Sequence, residues 1–301
     1  MPTATHTIPD AAMATPAITG SSDVYLILGD PVAQVRAPES FNLVFKHLGI
    51  NAVLVPVHVA PQDLAAFVKA AFSAHNIKGM WVTIPHKTPI MELLDLCSDR
   101  ARAAGAVNAL RRLPDGRIAG DLFDGEGFVA SLDYYAIAYA GRRVLVIGAG
   151  GAAAAIGASL LLASAGAVAE IAFFDPAPGQ AQALADRLGR LGRSRVRAVC
   201  SSDPAGFDLV VNASPLGLRA CDPLPCDVAR MDAGAALVDI LMKNQPTPVV
   251  RAARARALVA QPGFEMMIQQ THLYLEFFGF GQASDSLRGK LDFIRDKISQ
   301  A

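Results

Sequence analysis

Residues 143–153 read Arg143-Val144-Leu145-Val146-Ile147-Gly148-Ala149-Gly150-Gly151-Ala152-Ala153, an apolar run that ends in glycines and continues into an alanine-rich stretch. This order predicts a buried strand, a tight turn and a helix, which together form the phosphate-binding unit of a dinucleotide-binding sheet. Gly148 allows the turn, Gly150 lets the backbone approach a pyrophosphate, and the small Ala153 lets the helix pack close to the strand. Because free N–H groups at a helix N-terminus bind phosphates, the predicted cofactor-binding residues are Gly148, Ala149, Gly150, Gly151 and Ala152.

A second apolar run, Glu170 to Phe174, predicts the next strand, and Asp175 comes directly after it. An acidic residue close to this place accepts hydrogen bonds from the ribose hydroxyls of a dinucleotide. We therefore expect Asp175 to bind the cofactor. A glycine turn of purely structural origin is the alternative, but the strand before the turn, the helix after it and the acid together favour a nucleotide.

Composition narrows the possible partners. The 301 residues suffice for two domains, and 27 basic against 27 acidic residues give a formal charge of zero. No long-range field would therefore attract nucleic acid or anionic lipid, and we expect a small-molecule partner only. The cysteines Cys97, Cys200, Cys221 and Cys226 form no Cys-x-x-Cys pair and lie at no metal-ligand spacing from histidine. We expect reduced, structural thiols and no metal.

Two stretches of the chain bear on targeting and membrane insertion. Residues 1–21 lack a basic start followed by an apolar core, which favours a flexible tail on a cytoplasmic protein. Residues 144–174 are long enough to span a bilayer and nearly free of charge. Because glycines interrupt this stretch and Glu170 lies inside it, a helix buried against a parallel sheet explains it better. We predict no membrane span, and either a monomer or a homodimer.

The rest of the chain predicts an α/β fold of two domains. Apolar runs alternate with helical stretches from residue 24 to 83 and again from 143 to about 263, which favours two mainly parallel sheets. Between them we predict helices from Thr88 to Ala104 and then an antiparallel strand pair joined at Pro114-Asp115-Gly116. Residues 264–300 predict two helices with a break near 279–281. The predicted domains are a substrate-binding unit, 22–124, completed by 264–301, and a Rossmann-type nucleotide unit, 125–263.

Three polar clusters lie between these two units. Trp81 to Lys87 contains a strand that ends at proline and delivers a lysine to the carboxyl edge of the sheet, where such sheets bind ligands. Ala104 to Asn108 places an amide at the start of a strand. Gly120 to Gly125 places the carboxylate of Asp124 at the boundary between the units.

The order and spacing of these segments resemble the shikimate dehydrogenase family. Its members share a Val-Thr-x-Pro-x-Lys run, an Ala-Gly-Ala-Val-Asn run, an Asp-Gly boundary and a Gly-Ala-Gly-Gly-Ala loop. Asn212 to Gly217, Asp239 to Pro248 and Gln270 match three further family segments. The resemblance covers nearly the whole chain from Val24 to the C-terminal helices. It implies hydride transfer between a nicotinamide cofactor and a secondary alcohol on a cyclic acid related to shikimate or quinate.

The resemblance further implies that Lys87 and Asp124 handle the alcohol proton during hydride transfer. The chemistry is consistent, because the hydroxyl proton must leave and an amine in a partly desolvated cleft can take it. A plain ion pair closing the cleft is the structural alternative. His86 precedes the lysine, but it follows a proline and neighbouring side chains point in different directions, so we interpret it as structural.

Other roles are also implied by the resemblance. Thr83, Asn108 and Gln270 would bind substrate hydroxyls, although Thr and Asn at strand ends commonly satisfy local backbone groups instead. Further cofactor contacts are implied for Asn212, Ser214, Ile240 and Gly263.

Several positions depart from the family pattern. The family loop that offers two serine hydroxyls to the substrate carboxylate here reads Gly29 to Pro38, with Val35 and Ala37 at the serine positions. Each lost hydrogen bond to a charged group costs about 1.5–3 kcal/mol. Gln34 and Arg36 are the candidate replacements.

Further departures are apolar or larger: Trp81 replaces an asparagine, Leu122-Phe123 an Asn-Thr pair and Met242 a tyrosine. Shikimate is therefore expected to be a poor substrate. A shikimate- or quinate-type cyclic acid is the favoured substrate class, and a less polar or aminated ring compound is the alternative substrate. A non-catalytic NAD-binding sensor is the alternative to an enzyme.

Where family members that use the phosphorylated cofactor carry Asn-Arg-Thr, this chain has Asp175-Pro176-Ala177, which predicts NAD as the cofactor and NADP as less favoured.

Overall fold

A computed structural model describes residues 18–299, apart from 193 and 220, so most of the predicted N-terminal tail lies outside the described residues. The described chain forms two six-stranded sheets. The predicted α/β class, with two mainly parallel sheets, is confirmed.

The first sheet has the order β2-β1-β3-β5-β6-β4. Strand β5 runs antiparallel to both of its neighbours, as the turn at Pro114-Asp115-Gly116 predicts, whereas β1 is parallel to β2 and β3. Its strands are β1 Asp23–Gly29, β2 Ala52–His58, β3 Ile77–Val82, β4 Leu96–Cys97, β5 Ala109–Arg112 and β6 Ile118–Asp121. The helices of this part are α1 Ala37–His47, α2 Leu64–Ala71 and α3 Asp99–Ala104.

The helices predicted from Thr88 to Ala104 are present in two pieces, but a short strand that the sequence did not predict separates them. A 3-10 helix covers Pro89–Leu93, strand β4 comes next, and α3 begins only after Ser98. The chain leaves the helical path at Asp95, because this residue pairs with Ile118. The Asp95 N–H donates to the Ile118 carbonyl, and the Asp95 carboxylate accepts from the Ile118 N–H. Ser98 then caps α3 by accepting from the backbone of Ala101. Asx and serine side chains of this kind favour caps over helix interiors.

The second sheet is parallel throughout and has the order β12-β11-β10-β7-β8-β9. Chain order reverses between β7 and β10, and ligands of open parallel sheets bind at the carboxyl ends of strands at such a point. Its strands are β7 Arg143–Ile147, β8 Glu170–Phe174, β9 Arg195–Ala198, β10 Leu209–Asn212, β11 Ala236–Asp239 and β12 Val259–Pro262. The helices are α4 Asp124–Tyr134, α5 Gly151–Leu162, α6 Gln180–Gly189 and α7 Pro248–Ala255.

The C-terminal region forms three helices rather than the predicted two. They are α8 Phe264–Phe277, α9 Gly281–Ser286 and α10 Asp292–Ser299. The break predicted near 279–281 is present. A second break occurs at Gly289, whose φ of +71° lies in the left-handed region that glycine adopts without strain.

Helix α4 lies between α5 on one side and α8 on the other at very close distance. A methyl group added to Gly125 would overlap the carbonyl oxygen of Ala155 in α5, and one added to Gly127 would overlap that of Met266 in α8. The backbones approach this closely only because α4 has glycine at both contacts. Since Asp124 is the first residue of α4, the same contacts fix its position.

One apolar cluster runs through both sheets and joins them, from Leu26 and Val82 in the first to Val146 and Phe173 in the second. A second cluster, rich in aromatic side chains, includes residues of α1, β3 and α8. In the described part of the chain no helix combines the length and apolar character that a membrane crossing requires.

Candidate active site

A cavity of about 480 Å³ opens between the two sheets. The loop after β1 and the end of β3 form one side, and the glycine turn with the loops after β10 and β11 forms the other. Helix α8 forms the remaining wall. Of the predicted site residues, those that line this cavity are Gln34, Arg36, Thr83, Asp124, Gly150, Gly151, Ala152, Ser214, Ile240 and Gln270.

Lys87 forms an ion pair with Asp124, its amine Nζ donating to Oδ2 of the carboxylate. Asp124 lines the cavity, whereas Lys87 lies behind it and does not. Their side chains are only 15% and 9% exposed. The carbonyl of Lys87 accepts from the N–H of Val107 at 2.9 Å, which holds the backbone after β3. The lysine stem lies beside Gly151 of the glycine turn. The amine is therefore positioned between a carboxylate and the predicted cofactor site.

His86 is fully buried, and its Nε2 lies 2.7 Å from the carbonyl oxygen of Val59. This contact ties the Lys87 loop to the segment after β2. The placement agrees with a structural role for the histidine.

Asn108 is buried behind the cavity wall and both ends of its amide are engaged. Its oxygen accepts from the N–H of Phe123 at 3.0 Å, and its nitrogen donates to the side-chain oxygen of Gln270 at 3.2 Å. Gln270 in turn donates to the carbonyl of Met266 at 3.2 Å. A contact between Asn108 and the substrate stays a prediction. The hydrogen bond from Phe123 to Asn108 fixes the backbone where α4 begins, and hence the position of Asp124.

The glycine turn has the geometry that a bound pyrophosphate requires. Gly148 has a φ of +107°, and a methyl group there would lie 2.7 Å from the carbonyl oxygen of Ala213. No atom lies within 4 Å of the place where Gly150 would carry a side chain, so the backbone faces open space. The first turn of α5, with Gly151 and Ala152, lines the cavity next to it. These residues would hold the phosphates through backbone N–H groups.

Asp175 and Asn212 organise the surrounding loops. The carboxylate of Asp175 accepts from the N–H of Ala149 at 2.9 Å and from that of Ala177 at 2.8 Å, which joins the glycine turn to the loop after β8. The amide of Asn212 donates to Asp239 and accepts from Ser214, which shapes the loop after β10. Neither side chain lines the cavity, and Gly148 and Ala149 do not line it either.

Gly263 and Asp239 support the opposite wall. Gly263 lies against the backbone of Ile240, because a methyl group there would come within 2.5 Å of the Ile240 Cα atom. Burial raises the pKa of Asp239, although hydrogen bonds from Thr247, the Leu241 N–H and Asn212 oppose the shift. Gly263 does not line the cavity, whereas Ile240 does.

The loop that departs from the family pattern presents Val35 and Ala37 to the cavity. Gln34 donates to the carbonyl of Pro31 at 2.7 Å and so closes the loop on itself. Arg36 donates from Nε to Glu39 at 2.8 Å, but its Nη2 is buried without a partner. An unpaired buried donor costs about 1–3 kcal/mol.

Trp81 and Tyr274 form the aromatic floor of the cavity, with ring centroids 4.7 Å apart and planes inclined by 17°. The Tyr274 hydroxyl donates to the carbonyl of Asn108 at 3.1 Å. Burial raises the pKa of Tyr274 well above its usual value, so the phenol stays protonated and does not serve as a base. Sequence reasoning missed Tyr274; its spacing of four from Gln270 on one helix was the available signal.

Burial raises the pKa of the Cys226 thiol to about 12, which keeps that thiol inert. Within residues 18–299, with 193 and 220 left aside, no group of three His, Cys, Asp or Glu residues is arranged as a metal site.

Known proteins resemble the chain in sequence and in fold. Residues 27–110 match the family described as the shikimate dehydrogenase substrate binding domain. A shikimate dehydrogenase (NADP(+)) from Rubrobacter xylanophilus is 38% identical over 263 residues, which cover 86% of this chain and 91% of that protein.

Two solved structures superpose on most of the chain. The ligand-free 5-ketofructose reductase of Gluconobacter sp. strain CHM43 has a TM-score of 0.77 at 25% identity, covering 89% of this chain and 100% of its own. Shikimate 5-dehydrogenase from Thermus thermophilus, in complex with NADP(H) and shikimate, has a TM-score of 0.76 at 27% identity, covering 88% of this chain and 99% of its own.

Fold, cavity and relatives together define an oxidoreductase that uses a nicotinamide dinucleotide and acts on a CH–OH group. The sequence identity to the Rubrobacter enzyme over most of both chains shows which family this is. The chain belongs to the shikimate dehydrogenase family.

Proposed function

We propose that this protein interconverts a secondary alcohol and a ketone on a ring acid of the shikimate or quinate type, with NAD as the preferred cofactor. The observation that carries the proposal is the buried Lys87–Asp124 pair, whose carboxylate lines the cavity and whose lysine stem lies beside Gly151 of the glycine turn. The related enzymes act on CH–OH groups, which favours an enzyme over a non-catalytic sensor.

In the proposed reaction the Lys87 ammonium, paired with Asp124, gives a proton to the ketone oxygen as the alcohol forms. In the reverse direction the amine, after its own proton has left to solvent, takes the hydroxyl proton. The residues of the glycine turn would hold a nicotinamide dinucleotide, which would supply or accept the hydride. Asp124 orients the amine and hydrogen-bonds the reacting hydroxyl. It can hold this geometry because the close helix contacts at Gly125 and Gly127 fix its position at the start of α4. Thr83 and Gln270 line the same cavity and are the proposed partners of substrate hydroxyls.

The proposed preference for NAD rests on Asp175 and on the absence of basic residues in the loop after it and in the first two turns of the following helix. No lysine or arginine occurs from residue 175 to 186, the stretch next to the ribose in this kind of fold. The carboxylate already bridges two loops, so it is held at the end of β8. A carboxylate accepts from ribose hydroxyls but repels a 2′-phosphate.

Asp175→Asn should raise the ratio of kcat/KM for NADP to that for NAD by at least about tenfold, since the variant removes charge repulsion of order 1.4 kcal/mol. Asp186→Asn is the matched control, because Asp186 is an exposed acid on α6 of the same sheet unit. Steady-state kinetics with both cofactors measures the ratio. Calorimetric titration in which the unmodified protein binds NADP more tightly than NAD would refute the preference.

A less polar ring is the second candidate substrate, and the cavity wall favours it. Val35, Ala37, Phe41 and Trp81 line the cavity with apolar surface in the region of the loop after β1 and of β3, and Met242 adds apolar surface from the opposite side, after β11. A substrate hydroxyl facing such a wall loses its hydrogen bonds to water without replacement.

Shikimate should be turned over with a kcat/KM at least about tenfold below that of a ring acid carrying fewer hydroxyls, because one unpaired hydroxyl costs of order 1–3 kcal/mol. A panel of quinate, shikimate and their deoxy and amino analogues, followed by NADH fluorescence, tests both candidates. Efficient turnover of shikimate at low concentration would contradict the expectation. Absence of turnover for every ring alcohol would overturn the proposed function.

A further inference from the structure

One arginine holds the chain on both sides of Asp124. Arg100, the second residue of α3, donates from Nε to Oδ1 of Asp121 at 2.8 Å and from Nη2 to Oδ2 at 2.9 Å. Its Nη1 donates to the carboxylate of Glu126. Asp121 ends strand β6 and Glu126 is the third residue of α4. Arg100 therefore ties together the two elements that meet at Asp124.

The face of the same guanidinium lies against the residue before Asp124. The guanidinium carbon of Arg100 is 5.3 Å from the centroid of the Phe123 ring, within the range of a cation–π contact. That buried ring also meets two rings of α8, Tyr274 at 4.9 Å and 75° and Phe277 at 5.6 Å and 71°. Because Phe123 is held by these three contacts, the start of α4 cannot shift without breaking them.

Arg100 also balances negative charge next to Asp124. Burial raises the pKa of Glu126, Arg100 opposes the rise, and Asp121 and Glu276 add to it. Several carboxylates thus act on one another where α4 begins. Because like charges repel strongly where solvent is largely excluded, the arginine is needed to keep them ionised together.

The other elements packed around this place add little charge. Helix α5, which packs against α3 and α4, has no titratable side chain. Arg102 of α3 is exposed and paired within its own helix, and Arg187 of α6 lies beside Gly105 at the far end of α3. Arg100 is the arginine that contacts the carboxylates before and after Asp124.

We propose that Arg100 is a positioning residue for the Lys87–Asp124 pair: it holds Asp124 in place beside the amine and balances the charges of Asp121 and Glu126. The inference rests on the proposed function, which gives that pair the proton-handling role. Arg100 does not line the cavity, so it acts through the start of α4 and not on the substrate.

Turnover is the first readout. Arg100→Gln should lower kcat for oxidation of quinate, or of the ring alcohol that the substrate panel shows to be turned over best, by about tenfold or more, because Asp124 loses its fixed position. The Kd of NAD should stay within about threefold, since the predicted pyrophosphate contacts belong to the glycine turn. Arg100→Lys, which keeps the charge without the planar donors, should have a kcat between those of the parent and of Arg100→Gln.

Protonation of Lys87 is the second readout, and a purely structural role of Arg100 would not move it. Competitive labelling with acetic anhydride across a pH series, read by mass spectrometry, gives the pH at which the amine is half labelled and needs no substrate. Loss of one positive charge favours the ammonium form, so this midpoint should rise by about half a unit in Arg100→Gln. It should not move in Arg100→Lys.

The matched control is Arg295→Gln at the other end of α4. Arg295 donates from Nε to Glu265 at 2.9 Å, and its guanidinium carbon lies 4.4 Å from the ring centroid of Tyr134, the last residue of α4. Ten residues of helix put this end about 15 Å from Asp124, beyond the screening length of about 10 Å in 0.1 M salt. Urea denaturation should show a loss of stability, while kcat and the Lys87 midpoint should not change.

Circular dichroism checks that each variant is folded. An unmoved Lys87 midpoint in folded Arg100→Gln overturns the proposal, as does an equal effect in Arg295→Gln. If Arg100→Gln does not fold, Glu126→Gln tests the same balance with opposite sign. It removes one negative charge, so the midpoint should fall, and a midpoint that stays in place overturns the proposal as well.

Failure of the inference and failure of the proposed function give different results. If the Lys87 midpoint responds to Arg100 and the unmodified protein oxidises no ring alcohol, the positioning role stands and the proposed function fails. If ring alcohols are oxidised and neither kcat nor the midpoint responds to Arg100, the proposed function stands and the positioning role fails.

Discussion

Lys87→Met is expected to lower kcat for a ring-alcohol substrate by about 10³-fold, in the range typical of a lost general acid–base group. Methionine keeps most of the stem that lies beside Gly151 but removes the amine that donates to Asp124. The Kd of NAD should change little, because the predicted pyrophosphate contacts come from backbone N–H groups of the turn. Stopped-flow or steady-state measurement of NADH formation gives kcat, and calorimetry gives the Kd.

Two comparisons separate catalysis from stability in this variant. Lys69→Met, on the exposed face of α2, should leave kcat unchanged. Asp124→Asn combined with Lys87→Met should cost about as much as Lys87→Met alone, because residues that act as a unit are not additive. If folded Lys87→Met retains more than about a tenth of kcat, the ion pair is structural and the proposed acid–base role is wrong.

Gly125→Ala should destabilise the protein by about 3 kcal/mol, at the upper end of what overpacking usually costs. The added methyl group would meet the carbonyl oxygen of Ala155, which belongs to the backbone of α5 and cannot rotate away. Any relief requires α4 to move, and Asp124 moves with it. A shift of about 1 Å at a catalytic group can cost 10²-fold in rate, so kcat should fall even where the variant is fully folded.

Urea denaturation of Gly125→Ala against Gly281→Ala measures this effect. Gly281 begins α9, has no atom within 4 Å of its missing side chain and no positive φ, so its substitution should change stability by no more than about 0.5 kcal/mol. Equal stability of the two variants would show that α4 and α5 can separate at little cost.

The sequence predicts the nucleotide unit well for a local reason. Gly148 has a positive φ that few other residues adopt, so its place directly after an apolar strand identifies the turn. The antiparallel hairpin is predictable from Pro114-Asp115-Gly116 for the same reason, since Gly116 also has a positive φ. The strand between the two helices of residues 88–104 is not predictable, because it depends on pairing between Asp95 and Ile118 across the sheet.

The sequence predicts which residues form the site but not which of them form hydrogen bonds with one another. Asn108 and Gln270 are 162 residues apart, and only the folded chain brings their amides together. The burial of Arg36 Nη2 and Trp81 Nε1 without partners is likewise a property of tertiary packing, since the sequence alone suggests an exposed cation at position 36 and a core ring at position 81. Sequence identifies which groups can do chemistry, whereas packing decides which of them remain available to a ligand.

The fixed position of α4 has an evolutionary consequence. Asp124, a proposed proton-handling group, stands on a helix crossing that tolerates almost no variation, while Gln34 to Ala37, which line the cavity, lie on a separate loop. Substitutions in the loop can therefore change which substrates bind without changing the reaction. Laboratory selection confined to that loop and to position 81 is a direct route from this scaffold to dehydrogenases for new ring compounds.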